Sequence, residues 1–388
     1  MPNSREISAH ILSEIYNNYD LEDAINFNQS FLKLEQRDKS FVRLILLNSL
    51  RRHGEIDNVI QMFLKKPLKK ENYLIQNLLR ISVAQILFLD IPEYSIVNSA
   101  VEISKKYSFD KLANGVLRNI CRKKESLIKN LNPSINIPHW IKENIKEFFG
   151  EKTLSDISHK IVQEPHLDIK IKSNSYDSKN WAKILNGKLI FPEVIRIKNQ
   201  GSITSLPFFN EGFWWIQGLA ALFPVTIIND IYKNSIKKSI SILDVGAAPG
   251  AKTFQLIEGG YNLTSLEISS KRIKKLNENL RRLSFRTKII CKDLNNLNSK
   301  KMYDCILIDA PCTGSGLIQK KPEILIRDKT KNLKQLVDRQ KSMLDKSAQL
   351  LNKGGHIIYC VCSIHSEEGI KQIRSFMKEY KNFSLVNS

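Results

Sequence analysis

The sequence predicts a multidomain protein with an all-α N-terminal domain, a small α+β subdomain and a C-terminal α/β domain built on a doubly wound parallel sheet. Three observations lead to this prediction. Residues 1–128 repeat apolar positions at helical spacing, residues 129–211 mix short strand and helix patterns, and from residue 212 to 388 apolar strand patterns alternate with helical ones. A chain of 388 residues is also too long for one ordinary domain.

The N-terminal region shows helical periodicity in "FVRLILLNSLRR", "LIQNLLRISVAQILFL" and "SIVNSAVEISKKY". Turn signals at Pro67 and Pro92 separate these stretches. The region contains no cluster of side chains with catalytic chemistry. We therefore expect residues 1–128 to form a helical bundle that binds a partner.

The middle region begins with a linker at residues 129–145, "NLNPSINIPHWIKENIK". Beyond it, "HLDIKIKS" and "VIRIKN" are typical of short strands, and "WAKILNG" is a short element between them. This mixture predicts a small α+β subdomain that ends near residue 211. Adjacent Trp214 and Trp215 follow it, and we expect core contacts from them rather than a base-stacking platform.

The C-terminal region contains five apolar, β-branched strand patterns: "SISILDVG", "NLTSLEI", "TKIIC", "DCILIDAP" and "GHIIYCVC". Strands of this composition are typical of a parallel sheet covered by helices on both faces. The stretches "KRIKKLNENLRRL" and "NLKQLVDRQKSMLDKSAQLL" supply two of those helices. Ligands of such sheets bind beyond the carboxyl ends of the strands, which is where we expect the site.

The charge of the chain points to a polyanionic partner. The net charge is +21, of which residues 1–150 contribute +5 and residues 151–388 contribute +16. RNA or DNA is the natural partner of such a surface. An AT-rich coding sequence, which favours Lys, Asn and Ile everywhere, is the alternative explanation. The basic stretch "KRIKKLNENLRRLSFRTK" is either a solvated helix face or a contact to the RNA backbone.

Composition also indicates a compartment. No run of 18 apolar residues occurs, and "MPNSREISAHILSE" lacks a secretory core, so we expect no membrane attachment. Six cysteines in 388 residues do not form a disulfide framework, which favours a reducing cytoplasm. We expect a cytoplasmic protein that acts as a monomer.

Small and acidic residues mark the predicted site. The first strand of the α/β region leads into "LDVGAAPGAKT", where Gly246, Ala247, Ala248 and Gly250 allow a tight turn and a close ligand approach. The spacing is that of neither a dinucleotide fingerprint nor a P-loop. Glu267, Asp293 and Asp309 then fall at or just past the ends of three strands. One such acid is commonly a helix cap, but three favour a small-molecule site, and a cationic ligand would suit it.

Three motifs together resemble one enzyme family. "LDVGAAPGAKT", "DAPCTGSG" and "YCVCS" are similar to the L-D-x-C-A-A-P-G-G-K-T, D-A-P-C-S-x-x-G and Y-x-T-C-S motifs of the S-adenosylmethionine-dependent RNA cytosine-C5 methyltransferases. "LLRISVAQILFLDIPEYSIVNSAVEISKK" with "FDKLANGVLRNICR" resembles the RNA-binding helical domain of the NusB antitermination factor. This combination resembles the bacterial small-subunit ribosomal RNA methyltransferases of the Sun type, in which a NusB-like domain precedes a Rossmann-like class I methyltransferase core.

The resemblance implies S-adenosylmethionine as cofactor, small-subunit (16S) ribosomal RNA as partner and no bound metal. Methylation of a cytosine at C5 would proceed through a covalent bond between a cysteine and C6. Transfer RNA as substrate, or an RNA-binding protein with impaired catalysis, are the alternatives. The expected cofactor contacts are Gly246, Ala247, Ala248, Pro249, Gly250, Ala251, Lys252, Glu267, Arg272, Asp293 and Asp309.

The resemblance also assigns catalytic roles. Cys362 is the attacking thiol, and Cys312 assists release of the product; the alternative exchanges these two roles. Asp309 contacts the base, and Lys252 faces the reacting groups. A cysteine suits the reaction because its thiolate is the best side-chain nucleophile near neutral pH.

Other interpretations of the cysteines remain open at this point. Cys360, Cys362 and His365 could ligate a metal, although no second ligand cluster lies nearby in the sequence. Cys312 and Cys362 could also be packing residues, because free cysteine is often buried. We assign Cys121, Cys291 and Cys305 to packing, and we expect Cys360 to be inert.

The chain departs from the family pattern at several positions. Gly246 stands in place of the usual Cys, Ala251 in place of Gly, Gly218 in place of Asp and Val361 in place of Thr. Family members usually continue into a final pair of strands, which this chain is expected to lack. These departures leave the two motif cysteines in place.

Overall fold

The computed structural model of the chain describes residues 3–173, 178–198, 201–237, 239–298, 300–327 and 332–386. The chain divides into two compact units. One contains Met1–Glu164 with Ser315–Lys329, and the other contains Pro165–Gly314 with Thr330–Ser388. Within the described ranges, no helix has both the length and the apolar character needed to cross a bilayer.

The first unit is helical. Its helices are α1 (Ser4–Tyr16), α2 (Leu21–Phe27), α3 (Gln29–Leu32), α4 (Gln36–Arg51), α5 (His53–Phe63), α6 (Tyr73–Phe88), α7 (Glu93–Lys105), α8 (Asp110–Arg122), α9 (Lys124–Lys129) and α10 (His139–Ile161). The backbone of α10 is interrupted at Gly150, where φ is 82°. The all-α prediction for this region is confirmed.

Helix α6 lies at the centre of this unit. It is apolar on nearly every side, and α1, α4, α5, α7 and α8 all pack against it. A helix without a polar face is stable in water only when neighbouring helices cover it, so α6 is the hub of the bundle. Leu79, Ile81 and Val83 are fully buried there.

A segment distant in sequence completes the helical unit. Residues Ser315–Leu317 and Pro322–Ile326 form 3₁₀ turns, and the second turn packs against α4. Ile326 contacts the apolar core of the bundle, and the Arg327 guanidinium pairs with the Asp20 carboxylate. The stretch that follows the "DAPCTGSG" motif therefore belongs to the helical unit.

The second unit holds two sheets. Strands β1 (Leu167–Ile171), β2 (Lys188–Phe191), β3 (Val194–Ile197) and β4 (Trp214–Ile216) form a small antiparallel sheet in the order β2-β3-β1-β4. Strands β5 (Ser241–Val245), β6 (Asn262–Glu267), β7 (Lys288–Cys291), β8 (Tyr303–Asp309) and β9 (Leu351–Cys360) form a parallel sheet in the order β7-β6-β5-β8-β9. The helices are α11 (Ser178–Ile184), α12 (Leu219–Tyr232), α13 (Ala251–Glu258), α14 (Ser270–Arg282), α15 (Leu333–Leu350) and α16 (Ile370–Glu379).

Helices cover both faces of the parallel sheet. On β8, Cys305 and Leu307 point to the cluster of α12 and α13, whereas Ile306 and Ile308 point to the cluster of α15 and α16. Because successive side chains of a strand point to opposite faces, β8 is apolar at every one of these positions. From β5 the chain adds β6 and β7 on one side of the sheet and then crosses to the other side of β5 to add β8 and β9. Doubly wound sheets bind their ligands at the point where the direction of strand addition reverses in this way.

The two adjacent tryptophans join two cores. Trp214 packs in the core of the small sheet, and Trp215 packs with Ala248 and Phe254 beside the parallel sheet. Both side chains are buried, so the prediction of core contacts is confirmed. Strand β4 lies beyond residue 211 yet pairs with β1, while the predicted boundaries at 128 and 211 remain predictions.

Candidate active site

A cavity of about 300 Å³ opens at the carboxyl ends of β5, β6, β7 and β8. The structure thereby brings the predicted acids and both motif cysteines to one place. Apolar, acidic and basic side chains share the wall. The lining residues are Val245, Gly246, Leu266, Glu267, Ile268, Arg272, Lys292, Asp293, Leu294, Asp309, Ala310, Pro311, Cys312, Arg339, Met343 and Cys362.

Gly246 allows β5 and β8 to end side by side. Its φ of 79° lies in the left-handed region, and a Cβ there would stand 2.6 Å from the Asp309 carbonyl oxygen. Its amide donates to the Leu266 carbonyl at 2.9 Å. Only glycine combines a left-handed backbone with the absence of a Cβ atom, so the turn can form here without strain. The turn brings the main chain directly to the cavity wall.

The buried Asp244 carboxylate stabilises this turn. The Thr253 hydroxyl donates to the Asp244 carboxylate at 2.6 Å. Burial raises the pKa of Asp244 to about 6, and the Thr253 hydrogen bond opposes that shift. The pair joins β5 to the first turn of α13, which fixes the loop between them.

Glu267 ends β6 and is almost fully buried. Its carboxylate accepts from the Ser269 amide at 3.0 Å and from the Ala248 amide at 3.3 Å. The Arg272 guanidinium lies 3.1 Å from it and contacts the Ala248 carbonyl. Two amides and a guanidinium thus orient the carboxylate at the cavity wall.

Asp293 serves as a cap and lines the cavity as well. One carboxylate oxygen accepts from the Asn295 amide at 2.9 Å, which is the capping interaction. The other oxygen lies 3.3 Å from the Arg339 guanidinium of α15. The two sequence interpretations of this acid are therefore compatible.

Asp309 ends β8 and pairs with Lys252, whose Nζ atom lies 2.7 Å from the carboxylate. Burial opposes the charged ammonium, but the adjacent carboxylate outweighs it and raises the pKa of Lys252. Lys252 is therefore a cation at neutral pH. The ion pair presents a fixed positive and a fixed negative group beside the thiols.

The two motif cysteines lie in contact. Cys312 follows β8 and Cys362 follows β9, and these strands are neighbours in the sheet. Their Sγ atoms are 3.2 Å apart. Cys362 is exposed, whereas Cys312 is partly buried.

The contact separates the acidities of the two thiols. The hydrogen bond from Cys312 lowers the pKa of Cys362 to about 7, although burial opposes this shift. The same hydrogen bond, together with burial, raises the pKa of Cys312. Near neutral pH the pair therefore offers a thiolate at Cys362 and a protonated thiol at Cys312.

The remaining cysteines have other surroundings. Cys360 packs against the apolar cluster of α12 and α13, and burial raises its pKa to about 12. Cys305 is buried and Cys121 packs against the helical core. The packing assignment is wrong for Cys291, which is exposed because it ends β7 at the edge of the sheet.

The structure does not group the proposed metal ligands. Across the described ranges, no three His, Cys, Asp or Glu side chains lie close enough together to hold an ion. His365 is buried, whereas Cys362 faces the cavity.

Not every predicted cofactor contact lines the cavity. Gly246, Glu267, Arg272, Asp293 and Asp309 do. Ala247 to Lys252 form the turn behind the wall and the start of α13. Sequence reasoning missed Lys292, Arg339 and Met343, which carry no motif. Only their positions could have indicated a place in the site. Lys292 follows the end of a predicted strand, and Arg339 and Met343 lie on a helix that was predicted to cover the sheet.

Family comparisons agree with this arrangement. Residues 234–388 match the 16S rRNA methyltransferase RsmB/F family, and residues 2–122 match the NusB family. The first match covers the α/β part of the chain and the second covers the helical part. The family resemblance of the motifs is thereby confirmed.

Curated relatives extend over both domains. The chain is 28% identical over 357 residues to ribosomal RNA small subunit methyltransferase B of Shewanella oneidensis, covering 88% of this chain and 82% of that protein. It is 27% identical over 409 residues to the protein of that name from Photorhabdus laumondii, covering 100% and 92%.

Solved structures show the same fold. PH0851 superposes with a TM-score of 0.71 at 21% identity, covering 98% of this chain and 90% of that one. NSun6 from Pyrococcus horikoshii, solved with SFG, gives a TM-score of 0.54 at 18% identity over 63% and 88%. The predicted multidomain fold with a Rossmann-like methyltransferase core is confirmed.

The cavity suits S-adenosylmethionine. Its acidic members, Glu267, Asp293 and Asp309, complement a ligand that carries a sulfonium and an ammonium group. Ile268, Leu294 and Met343 offer apolar surface for a flat base. The cavity therefore holds acidic and apolar side chains that match this ligand, at the carboxyl ends of the parallel strands.

Proposed function

We propose that this protein methylates C5 of a cytosine in small-subunit ribosomal RNA through a covalent bond between Cys362 and C6 of the base. The observation that carries the proposal is the contact of two thiols, 3.2 Å apart, on the wall of the cofactor cavity. Packing does not require two thiols on an open wall, whereas this chemistry uses two.

Cys362 is the better nucleophile of the pair. C5 of cytosine is a weak nucleophile until a thiolate adds to C6 and makes C5 enamine-like. Cys362 is exposed, and the Cys312 thiol lowers its pKa to about 7, so its thiolate is abundant at neutral pH. S-adenosylmethionine supplies the electrophilic methyl group.

Cys312 suits the second half of the reaction. After methyl transfer, the C5 proton must leave so that the sulfur–C6 bond can break and restore the aromatic base. Once Cys362 is bonded to C6, the hydrogen bond that raised the pKa of Cys312 is gone, and Cys312 can release its own proton to solvent. The resulting thiolate then takes the C5 proton. Release of Cys362 as a thiolate returns the pair to its starting state.

Asp309 and Lys252 suit the charge that develops on the ring. Addition at C6 places electron density on the base near N3, and protonation of N3 would neutralise it. We assign the contact to N3 to Asp309, which relays a proton to it from the Lys252 ammonium 2.7 Å away and returns that proton when the sulfur–C6 bond breaks.

The helical unit fits an RNA-binding role. Its resemblance to the NusB family and the chain's net charge of +21 both favour a ribosomal RNA partner. Such a reaction belongs in the cytoplasm.

A methyl-transfer assay tests the proposal. Purified full-length protein and labelled S-adenosylmethionine are incubated with deproteinised 16S rRNA, small ribosomal subunits or total tRNA, followed by bisulfite sequencing. We expect label in 16S rRNA at a single bisulfite-resistant cytosine. Label in tRNA alone would mean that the substrate is transfer RNA and not ribosomal RNA. Cofactor binding without any transfer would favour an RNA-binding protein that does not catalyse.

A further inference from the structure

A buried hydrogen-bond network holds the two cysteine loops together. Its centre is the carboxylate of Glu368, which is fully buried and lies six residues after Cys362. The Thr313 amide donates to one oxygen at 2.9 Å, and the Thr313 hydroxyl donates to the other at 2.6 Å. The Gln340 side-chain amide donates to the first oxygen at 3.0 Å.

These contacts hold Cys312 from both sides. Gln340 also donates to the Pro311 carbonyl at 2.9 Å, and Thr313 is bound to Glu368. The residue before Cys312 and the residue after it are therefore each tied to the same buried pair of side chains. Gln340 lies on α15, and the side chains of Thr313, Gln340 and Glu368 are all shielded from water.

The same network reaches the loop of Cys362. The Thr313 and Ser363 hydroxyl oxygens are 3.1 Å apart. Because a carboxylate only accepts, Thr313 donates to Glu368, and Ser363 donates in its contact with Thr313. A continuous chain of hydrogen bonds thus joins the neighbours of both cysteines.

We propose that Glu368 is a positioning residue that sets the distance between the Cys312 and Cys362 thiols. The proposal rests on the cysteine chemistry proposed above. Misplacing a reacting group by about 1 Å can cost on the order of 100-fold in rate. A buried carboxylate with three donors has one favourable arrangement, so it fixes the two loops more firmly than apolar packing would.

The test substitutes Glu368→Gln in the full-length protein, with Glu367→Gln as a matched control. Glutamine keeps the shape but turns an NH₂ group toward a donor, which breaks the network. Glu367 loses the same charge one residue away, but it pairs with Lys371 outside the network.

The first readout is the pH dependence of Cys362 alkylation by iodoacetamide, without RNA or cofactor. Fragment-ion mass spectrometry is required because Cys360 shares the tryptic peptide. Alkylation needs the thiolate, so its rate rises with pH through the Cys362 pKa of about 7. Asp309 and Lys252 also face Cys362, and both variants leave them in place.

For Glu368→Gln we expect the alkylation midpoint to rise by about one pH unit, toward an ordinary thiol value of about 8.5. We expect kcat to fall roughly tenfold to 100-fold, with an unchanged KM for S-adenosylmethionine. Glu367→Gln should keep the wild-type midpoint and rate. If Glu368→Gln fails to fold, Thr313→Val removes the hydroxyl link and should shift the midpoint in the same direction.

An unchanged alkylation midpoint together with a kcat within twofold of wild type for Glu368→Gln would overturn the proposal. Equal midpoint shifts in Glu368→Gln and Glu367→Gln would also overturn it. A shifted midpoint in a protein whose wild type does not methylate RNA would support the positioning role and reject the proposed function. A wild-type midpoint in an active Glu368→Gln enzyme would reject the positioning role and leave the proposed function in place.

Discussion

The cofactor end and the thiol end of the cavity are held in different ways. At the cofactor end, Gly246 and Glu267 stand where they do because β5 and β6 end there, and nearby amides complete the geometry. At the thiol end, the Cys312 loop depends on Gln340 and on Glu368 of the Cys362 loop, both of which are distant from Cys312 in the chain. Local backbone geometry therefore builds the first end, and distant side chains build the second.

This difference predicts two kinds of mutational effect. Substitutions at the cofactor end should weaken binding of S-adenosylmethionine. Substitutions at the thiol end should lower kcat while leaving cofactor affinity unchanged, because the thiols act on the base.

Asp309→Asn should have the largest of these effects. Loss of the carboxylate removes the proposed contact to the base and leaves Lys252 without its 2.7 Å partner. We expect kcat to fall about 100-fold to 1000-fold. A smaller loss of cofactor affinity should accompany this fall, because Asp309 also lines the cofactor cavity. Steady-state kinetics with saturating cofactor would measure this, with the exposed Asp338→Asn as control. A change confined to cofactor affinity would mean that Asp309 contacts the cofactor and not the base.

Glu267→Gln should weaken cofactor binding. A hydrogen bond to a charged group contributes about 1.5–3 kcal/mol, so we expect the Kd for S-adenosylmethionine to rise roughly tenfold to 100-fold. Isothermal titration calorimetry measures it, and Glu278→Gln on the exposed side of α14 is the matched control. An unchanged Kd would remove Glu267 from the cofactor site.

Arg339→Ala should have the smallest effect. Its guanidinium lies 3.3 Å from Asp293 and is close to half exposed, so solvent screens the pair. We expect the Kd for S-adenosylmethionine to rise less than about fivefold. A loss comparable to that of Glu267→Gln would mean that Arg339 contacts the ligand directly rather than orienting Asp293.

The same division explains what the sequence revealed. The five strands and the acids at their ends were predicted correctly because strand patterns and strand ends are local features. The small residues of the turn were predicted for the same reason. Gly246 has the left-handed backbone that such a turn requires.

Other features depend on contacts between distant residues, and the sequence did not reveal them. Glu368 lies 55 residues from Thr313, and Gln340 lies 28 residues from Glu368. No periodicity marks either residue, and in sequence both look like ordinary polar residues near a helix. The packing of Ser315–Ile326 on the helical unit was also missed, since it follows a methyltransferase motif.

In the proposed mechanism the two thiols act in sequence, with Cys362 forming the bond to the base and Cys312 enabling its release. Denaturing gel electrophoresis of RNA complexes with Cys362→Ala and Cys312→Ala tests it directly, because covalent catalysis separates entry into the intermediate from exit. Cys291→Ala, which removes an exposed thiol that does not line the cavity, is the control.

We expect Cys362→Ala to form no adduct and to lose activity by about 10⁴-fold or more. We also expect Cys312→Ala to accumulate a protein–RNA adduct that survives denaturation, and Cys291→Ala to behave as wild type. A stable adduct with Cys362→Ala and none with Cys312→Ala would reverse the roles. Full activity without an adduct in both variants would rule out covalent catalysis by these cysteines.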